Sequence, residues 1–152
     1  RTLITLLHLR EIEARHHYDF SITSEMVDLR NRALAQVTHA DDFIVSDRIA
    51  SLLLSQLAQD AALKAVFDDL FNPEGAEIYL RPASDYVRPD RVVSFATLIE
   101  SARRRGETPL GYRVAVAADD ASRNFGVVLN PDRSAEFRLD AADRVIVLAS
   151  EG

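Results

Sequence analysis

The sequence predicts an α/β chain that passes into a small α+β lobe, and three observations carry that expectation. A strand pattern, a short helical stretch and a second strand alternate between Phe20 and Val45, which is the rhythm of a βαβ unit. The second of these strands, Phe43, Ile44 and Val45, is a continuous apolar run, as expected of a strand buried on both faces in a parallel sheet. After Gly75 the character changes to one strand, one helix and three further strand-like segments separated by polar loops.

In order, Thr2 to Ala14 places Leu3, Ile4, Leu6, Leu7, Leu9 and Ile12 at helical spacing, with Glu11 and Arg15 as an i,i+4 charge pair. Its first two turns are apolar nearly all round, and the chain begins at Arg1 with no methionine. We therefore expect further structure upstream to cover this helix. A strand is predicted from Phe20 to Val27, ending near Glu25 and Asp28, then a short helix from Asn31 to Val37 and the strand Phe43–Val45. Ser46 is a good N-cap for the next helix, and Asp47 suits its first turn.

In that helix Ile49, Ala50, Leu52, Leu53, Leu54, Leu57 and Ala58 spread over roughly 240° of a wheel drawn at about 100° per residue. A surface helix has a narrower apolar stripe, so this one requires cover on two sides. Asp60 caps a second helix, Ala61 to Phe71, with a single stripe of Leu63, Val66, Phe67, Leu70 and Phe71, and Asn72–Gly75 forms the turn that ends it. Beyond it come the strand AEIYLRP, a polar linker through Asp90, and a helix from Ser94 to Arg105 stopped by Gly106. The strand-like segments TPLGYRVAVA, FGVVLNP and DRVIVLAS follow, with polar loops at Asp119–Asn124 and Asp132–Asp143 between them.

The 152 residues carry 24 acidic and 18 basic side chains and no cysteine. A net charge of -6 argues against a general nucleic-acid or anionic-membrane partner, both of which reward a basic face. Without cysteine there is no disulfide framework, thiolate nucleophile or zinc-thiolate site. No apolar run approaches the roughly 18 to 20 residues that span a bilayer.

The scattered glycines provide neither GxGxxG nor GxxxxGK, and no serine sits in GxSxG. His16 and His17 are adjacent, so on a helix they point about 100° apart and serve one ion poorly. We read them, with Asp19, as a solvated helix end favoured by the dipole. Asp41 and Asp42 read as turn and strand-entry residues, with cation binding as the competing possibility alongside Glu25 and Asp28. Asp68, Asp69 and Glu74 read as a solvated helix face, and Asp119 and Asp120 as a hairpin tip. Arg103, Arg104 and Arg105 would suit a phosphate or carboxylate partner, but the helix macrodipole already accounts for cations at a C-terminus.

The segments RTLITLLHLREIEAR, SEMVDLRNR, DDFIVSDRIASLLLSQLAQD, VFDDLFNPEGAEIYLRP and GYRVAV, VVLNP and DRVIVLAS resemble, in order and wording, the cytosolic gating region of CASTOR and POLLUX type ion channels. These are similar in turn to RCK (regulator of potassium conductance) proteins and to the peripheral subunits of Trk-type potassium transporters. The resemblance implies the end of a Rossmann-like RCK N-lobe over 1–45, a crossover and dimerisation helix pair over 46–75, and a small α+β RCK C-lobe over 76–152. The implied function is non-enzymatic: a cytosolic regulatory domain of a potassium or other cation channel that couples ligand binding to pore opening. The implied partners are a second copy, possible ring assembly and an upstream pore, on the cytoplasmic side of a membrane.

The second surface demanded by Ile49, Leu52, Leu53, Leu54, Leu57 and Phe67 is then the matching subunit of a dimer. Some relatives bind Ca²⁺ at carboxylates near a strand end, and Glu25 matches one such position. The residue two further on is Val27 rather than an acid, which leaves Asp28 as the second carboxylate. The alternative implied by the wider family is a soluble nucleotide-sensing subunit of a Trk-type transporter, whose glycine motif this sequence does not contain.

Overall fold

The computed structural model describes residues 2–18, 22–26, 42–72 and 74–150. It is mixed helix and strand and divides into two compact units, Arg1–Lys64 and Ala65–Gly152.

The first unit starts with helix α1, Thr2–His16, two residues longer than its apolar pattern because Arg15 and His16 extend the last turn. The expected pair forms, Arg15 donating to Glu11, and Arg10 pairs with Glu13. Leu6 is buried while Ile4, Leu7 and Ile12 remain exposed. Strand β1, Thr23–Met26, pairs in parallel with β2, Asp42–Val45, aligning Glu25 with Ile44. The parallel pairing inferred from the continuous apolar run is therefore present. The helix expected at Asn31–Val37, and Asp19, Asp28 and Asp41, lie outside the described residues.

Helix α2, Ser46–Gln59, follows β2 directly. Asp60 accepts from the Ala62 N–H at 2.9 Å and so caps a tight turn, after which α3 runs Leu63–Leu70. In the next turn the Asn72 side chain accepts from Glu74 N–H at 3.1 Å.

The second unit is built on a four-stranded antiparallel sheet of order β3-β8-β5-β6. Its members are β3, Ala76–Pro82, β5, Thr108–Arg113, β6, Val127–Leu129, and β8, Arg144–Ser150. Strand β8 carries Val145, Val147 and Ala149 on one face, all buried. Against that face packs α4, Phe95–Arg103, through Phe95, Leu98 and Ala102, whose spacing puts them on one helix face. Ser94 caps α4 by accepting from Thr97 N–H at 3.3 Å, and Gly106 takes the left-handed φ of 75° just past its end.

Two short strands were not legible in the sequence: β4, Val92–Ser94, and β7, Glu136–Arg138, which pair antiparallel beside the core. Three residues are too few to show alternation, so each passed for linker or loop. Phe137 of β7 packs on Tyr112 with ring centroids 4.3 Å apart. The strand expected through Ala117 stops at Arg113 and gives way to a 3-10 turn at Ala115–Ala117. The segment expected to begin at Phe125 starts at Val127, because Asn124, Phe125 and Gly126 take positive φ of 53°, 54° and 77° in a tight corner.

Asp143 ties this unit together. It is 3% exposed; its carboxylate accepts from Ala115 N–H and from Asp140 N–H, both at 2.8 Å, and its carbonyl accepts from Ala83 N–H at 3.0 Å. Removing the carboxylate takes the acceptor from two part-buried N–H donors. Asp143→Ala is expected to lower unfolding stability by about 3 kcal/mol, read by urea denaturation, whereas Asp119→Ala on the exposed loop should change it by less than about 0.5 kcal/mol.

Gly111 imposes a second constraint. It sits opposite both Ile146 and Leu129, and a Cβ there would lie 2.0 Å from the Val128 carbonyl oxygen. Gly111→Ala should therefore force β5 and β6 apart at a cost of about 2 to 3 kcal/mol, measured by the same denaturation.

Candidate functional site

Two apolar helix faces are candidates, one on α2 and one on α3. On α2, Ile49, Leu52 and Leu54 are 45%, 59% and 66% exposed, while Leu53 and Leu57 are half-buried. The wheel explains the division. Leu53 and Leu57 lie in the middle of the apolar arc and are partly covered, whereas Leu52 and Leu54 lie on its two flanks and face outward. On α3, Phe67 is half-buried and stacks on Phe71 at 6.3 Å between centroids, with Val66 and Phe71 exposed. Covering the exposed half of each such side chain would offer about 1 kcal/mol apiece.

Of the two carboxylates singled out for Ca²⁺, the backbone of Glu25 lies in β1 one residue before the strand's end, and Asp28 falls outside the described residues. Among the described residues no group of three or more His, Asp or Glu side chains is arranged to hold a metal ion. His16 stacks on Tyr18 at 5.5 Å.

The acidic loops are accounted for locally. Asp120 and Asp132 each accept from the backbone N–H and hydroxyl of the serine two residues on, which holds both carboxyls below the usual carboxylate range.

Each arginine of the triplet at the end of α4 has a carboxylate beside it. Arg103 donates from two nitrogens to Glu100 at 2.8 and 2.9 Å, and Arg104 donates to the same group at 3.0 Å. These bonds, led by Arg103, pull the Glu100 carboxyl down to about 2. Arg105 lies 3.5 Å from Glu107. The triplet is thus a network of ion pairs rather than an open anion cradle.

Glu107 is a hub that sequence reasoning missed. Its nearly buried carboxylate accepts from the Tyr86 hydroxyl at 2.5 Å, lies beside Arg105 and has Arg81 at 4.0 Å. Arg105 also covers the Tyr86 ring at 5.1 Å, and Arg81 covers Tyr79 at 4.4 Å. No local pattern marks this site, since Arg81, Tyr86 and Glu107 meet only through the sheet.

Comparison with known proteins places the chain beside a set of channels. It is 34% identical over 140 residues to the probable ion channel POLLUX of Oryza sativa subsp. japonica, a match covering 91% of this chain and 14% of that protein. It is 32% identical over 130 residues to the ion channel CASTOR of Lotus japonicus, covering 86% of this chain and 14% of the channel. The chain is similar to CASTOR and POLLUX type ion channels. The resemblance read from its segments is thus present across most of its length, and these relatives are ion channels rather than enzymes.

The chain spans about 14% of the length of the curated relatives it matches. No protein-family model matches it. A solved structure described as "GsuK channel bound to NAD" superposes on 98% of this chain and 23% of its own at 11% identity, with a TM-score of 0.37. A TM-score that low does not establish a common arrangement. Among the described residues no helix is long and apolar enough to cross a membrane.

The Tyr86–Glu107 contact makes a measurable prediction. Burial, reinforced by the neighbouring carboxylate, pushes the Tyr86 hydroxyl from 10.0 up to about 12. The unfolded chain loses this proton first, so the contribution to stability is complete below pH 10 and declines as pH rises toward 12. Ultraviolet titration of phenolate absorbance should show one tyrosine ionising near pH 12, and that late step should vanish in Tyr86→Phe.

Proposed function

We propose that the chain is a cytosolic regulatory domain of a potassium or other cation channel, non-enzymatic, that couples ligand binding to pore opening through a dimer interface on α2 and α3. The observation that carries this reading is the pairing of similarity to ion channels over 91% of the chain with two exposed apolar flanks on α2. In this reading 1–45 ends a Rossmann-like RCK N-lobe, 46–75 is the crossover pair and 76–152 is the RCK C-lobe. Copies assemble into a gating ring beneath a pore formed by other parts of the protein, on the cytoplasmic side of the membrane. A ligand acts by favouring one of two packings of the helix interface, and it needs only differential affinity for the two states. Ca²⁺ is the proposed ligand, bound through Glu25 with Asp28.

The complete coding sequence is expected to contain two or more apolar segments of about 20 residues; a coding sequence without any would overturn the channel reading. In solution, light scattering at high micromolar concentration should give at least the mass of a dimer. The double substitution Leu52→Glu, Leu54→Glu should lower that mass without changing the circular dichroism spectrum. A wild-type chain that stays strictly monomeric would sink the interface. Calorimetry should register Ca²⁺ binding that weakens at least about tenfold in Glu25→Ala, since a lost carboxylate ligand costs more than about 1.4 kcal/mol; the absence of any Ca²⁺ heat removes this ligand.

A further inference from the structure

Among the described residues β3 is the terminal strand of its sheet, paired only with β8. Its hydrogen-bonding direction follows from one contact: the Ala83 N–H donates to Asp143 across the β8 side. Strand residues alternate in direction. Residues 77, 79 and 81 therefore bond inward to β8, while Ala76, Ile78 and Leu80 direct their N–H and C=O groups to the outer edge. Pro82, which has no N–H, closes that edge. Ile78 and Leu80 are also 51% and 52% exposed on the sheet face opposite α4, with exposed Leu129 on the same face across Gly111. A long terminal strand with exposed apolar side chains is a template for pairing with another chain.

The sequence of the edge selects the occupant. Read antiparallel against itself about Tyr79, the run Glu77-Ile78-Tyr79-Leu80-Arg81 sets Glu77 opposite Arg81 twice and Ile78 opposite Leu80 twice. The outward-directed residues 78 and 80 then form the hydrogen-bonded pairs, as an antiparallel ladder requires. The Arg81 side chain is 39% exposed, and its Nε lies 4.0 Å from Glu107, longer than a hydrogen bond, so its exposed guanidinium nitrogens remain accessible to a second carboxylate. We propose that β3 pairs with β3 of a second copy about a two-fold axis at Tyr79, joining the two sheets into one eight-stranded sheet. The opposed charges fix the register, because a shift by two residues removes both ion pairs. This contact is independent of the α2 and α3 interface.

The chain contains no cysteine, so introduced thiols report the register directly. Ile78→Cys and Leu80→Cys face each other across the proposed ladder at about 5.5 Å between Cα atoms, within disulfide reach. Two copies of the same variant meet only on the diagonal, at about 7 to 8 Å, beyond it. Mild oxidation of a mixture of the two variants should give several-fold more disulfide-linked dimer than either variant alone. The same result is expected in the Leu52→Glu, Leu54→Glu background, which separates it from the helix interface. Adding Glu77→Arg to both variants should suppress the linked dimer, and adding Glu77→Arg with Arg81→Glu should restore it. No excess in the mixture means that another segment or partner covers this edge, and equal linking in all three samples means apolar association without this register; either result overturns the proposal.

Discussion

Strand β8 is the constraint on which the second unit depends. It is flanked by β3 and β5 over nearly its whole length, and its Val145, Val147 and Ala149 form the floor on which α4 lies. A strand so enclosed must be entered from a fixed direction, and Asp143 supplies that. Its carboxylate satisfies the backbone at Ala115 and Asp140 while its carbonyl receives Ala83, so three separate segments converge on the first turn into β8. A buried carboxylate is costly unless its oxygens are filled with donors. Here the filling is done by backbone N–H groups, which makes the position sensitive to geometry rather than to a charged partner.

The apolar surface is distributed unevenly about that frame. One face of the sheet is closed by α4, Tyr86 and Leu139, and the other leaves Ile78, Leu80 and Leu129 in the open. Helix α2 repeats the pattern, with a covered middle and two open flanks. Scattered exposed leucines are ordinary on a small protein. Here the exposed apolar residues are ordered along the elements: Ile78 and Leu80 alternate along one strand, and Leu52 and Leu54 flank the covered middle of one helix.

Most of the architecture was legible because the elements are long or strongly patterned. The stretch AEIYLRP coincides with β3 residue for residue, and Ser94 and Gly106 mark α4 by capping chemistry that is local in sequence. The misses share the opposite property. Strands β4 and β7 are defined by each other across some forty residues, and the corner at Asn124–Gly126 is imposed by close approach of Gly126 to Val114. The same distinction holds for the sites. The excess apolar arc of α2 shows on a helical wheel, whereas Asp143 is one aspartate among many in a polar loop until Ala115 is folded against it. The arginine triplet invited an anion-site reading because its neutralising partners, Glu100 and Glu107, are recognised only once the helix and the chain beyond it are built.

The self-complementarity of β3 and the apolar flanks of α2 bear on assembly in a way that neither does alone. A contact of one patch with its own copy is isologous and closes at two. A chain with two different isologous contacts does not stop there: each added copy uses one and presents the other, so the contacts alternate along the assembly. Whether such an assembly closes into a ring or grows as an open array depends on the angle between the two axes, and closure requires an even number of copies. For the proposed gating ring the division would have a mechanical use. A β-ladder held by hydrogen bonds and two charge pairs in a single register has little freedom to slide. A helix contact made of leucines on an arc wider than one partner can cover admits alternative packings of similar energy. In the proposed ring, motion driven by a ligand would then be taken up at the helices rather than at the ladder.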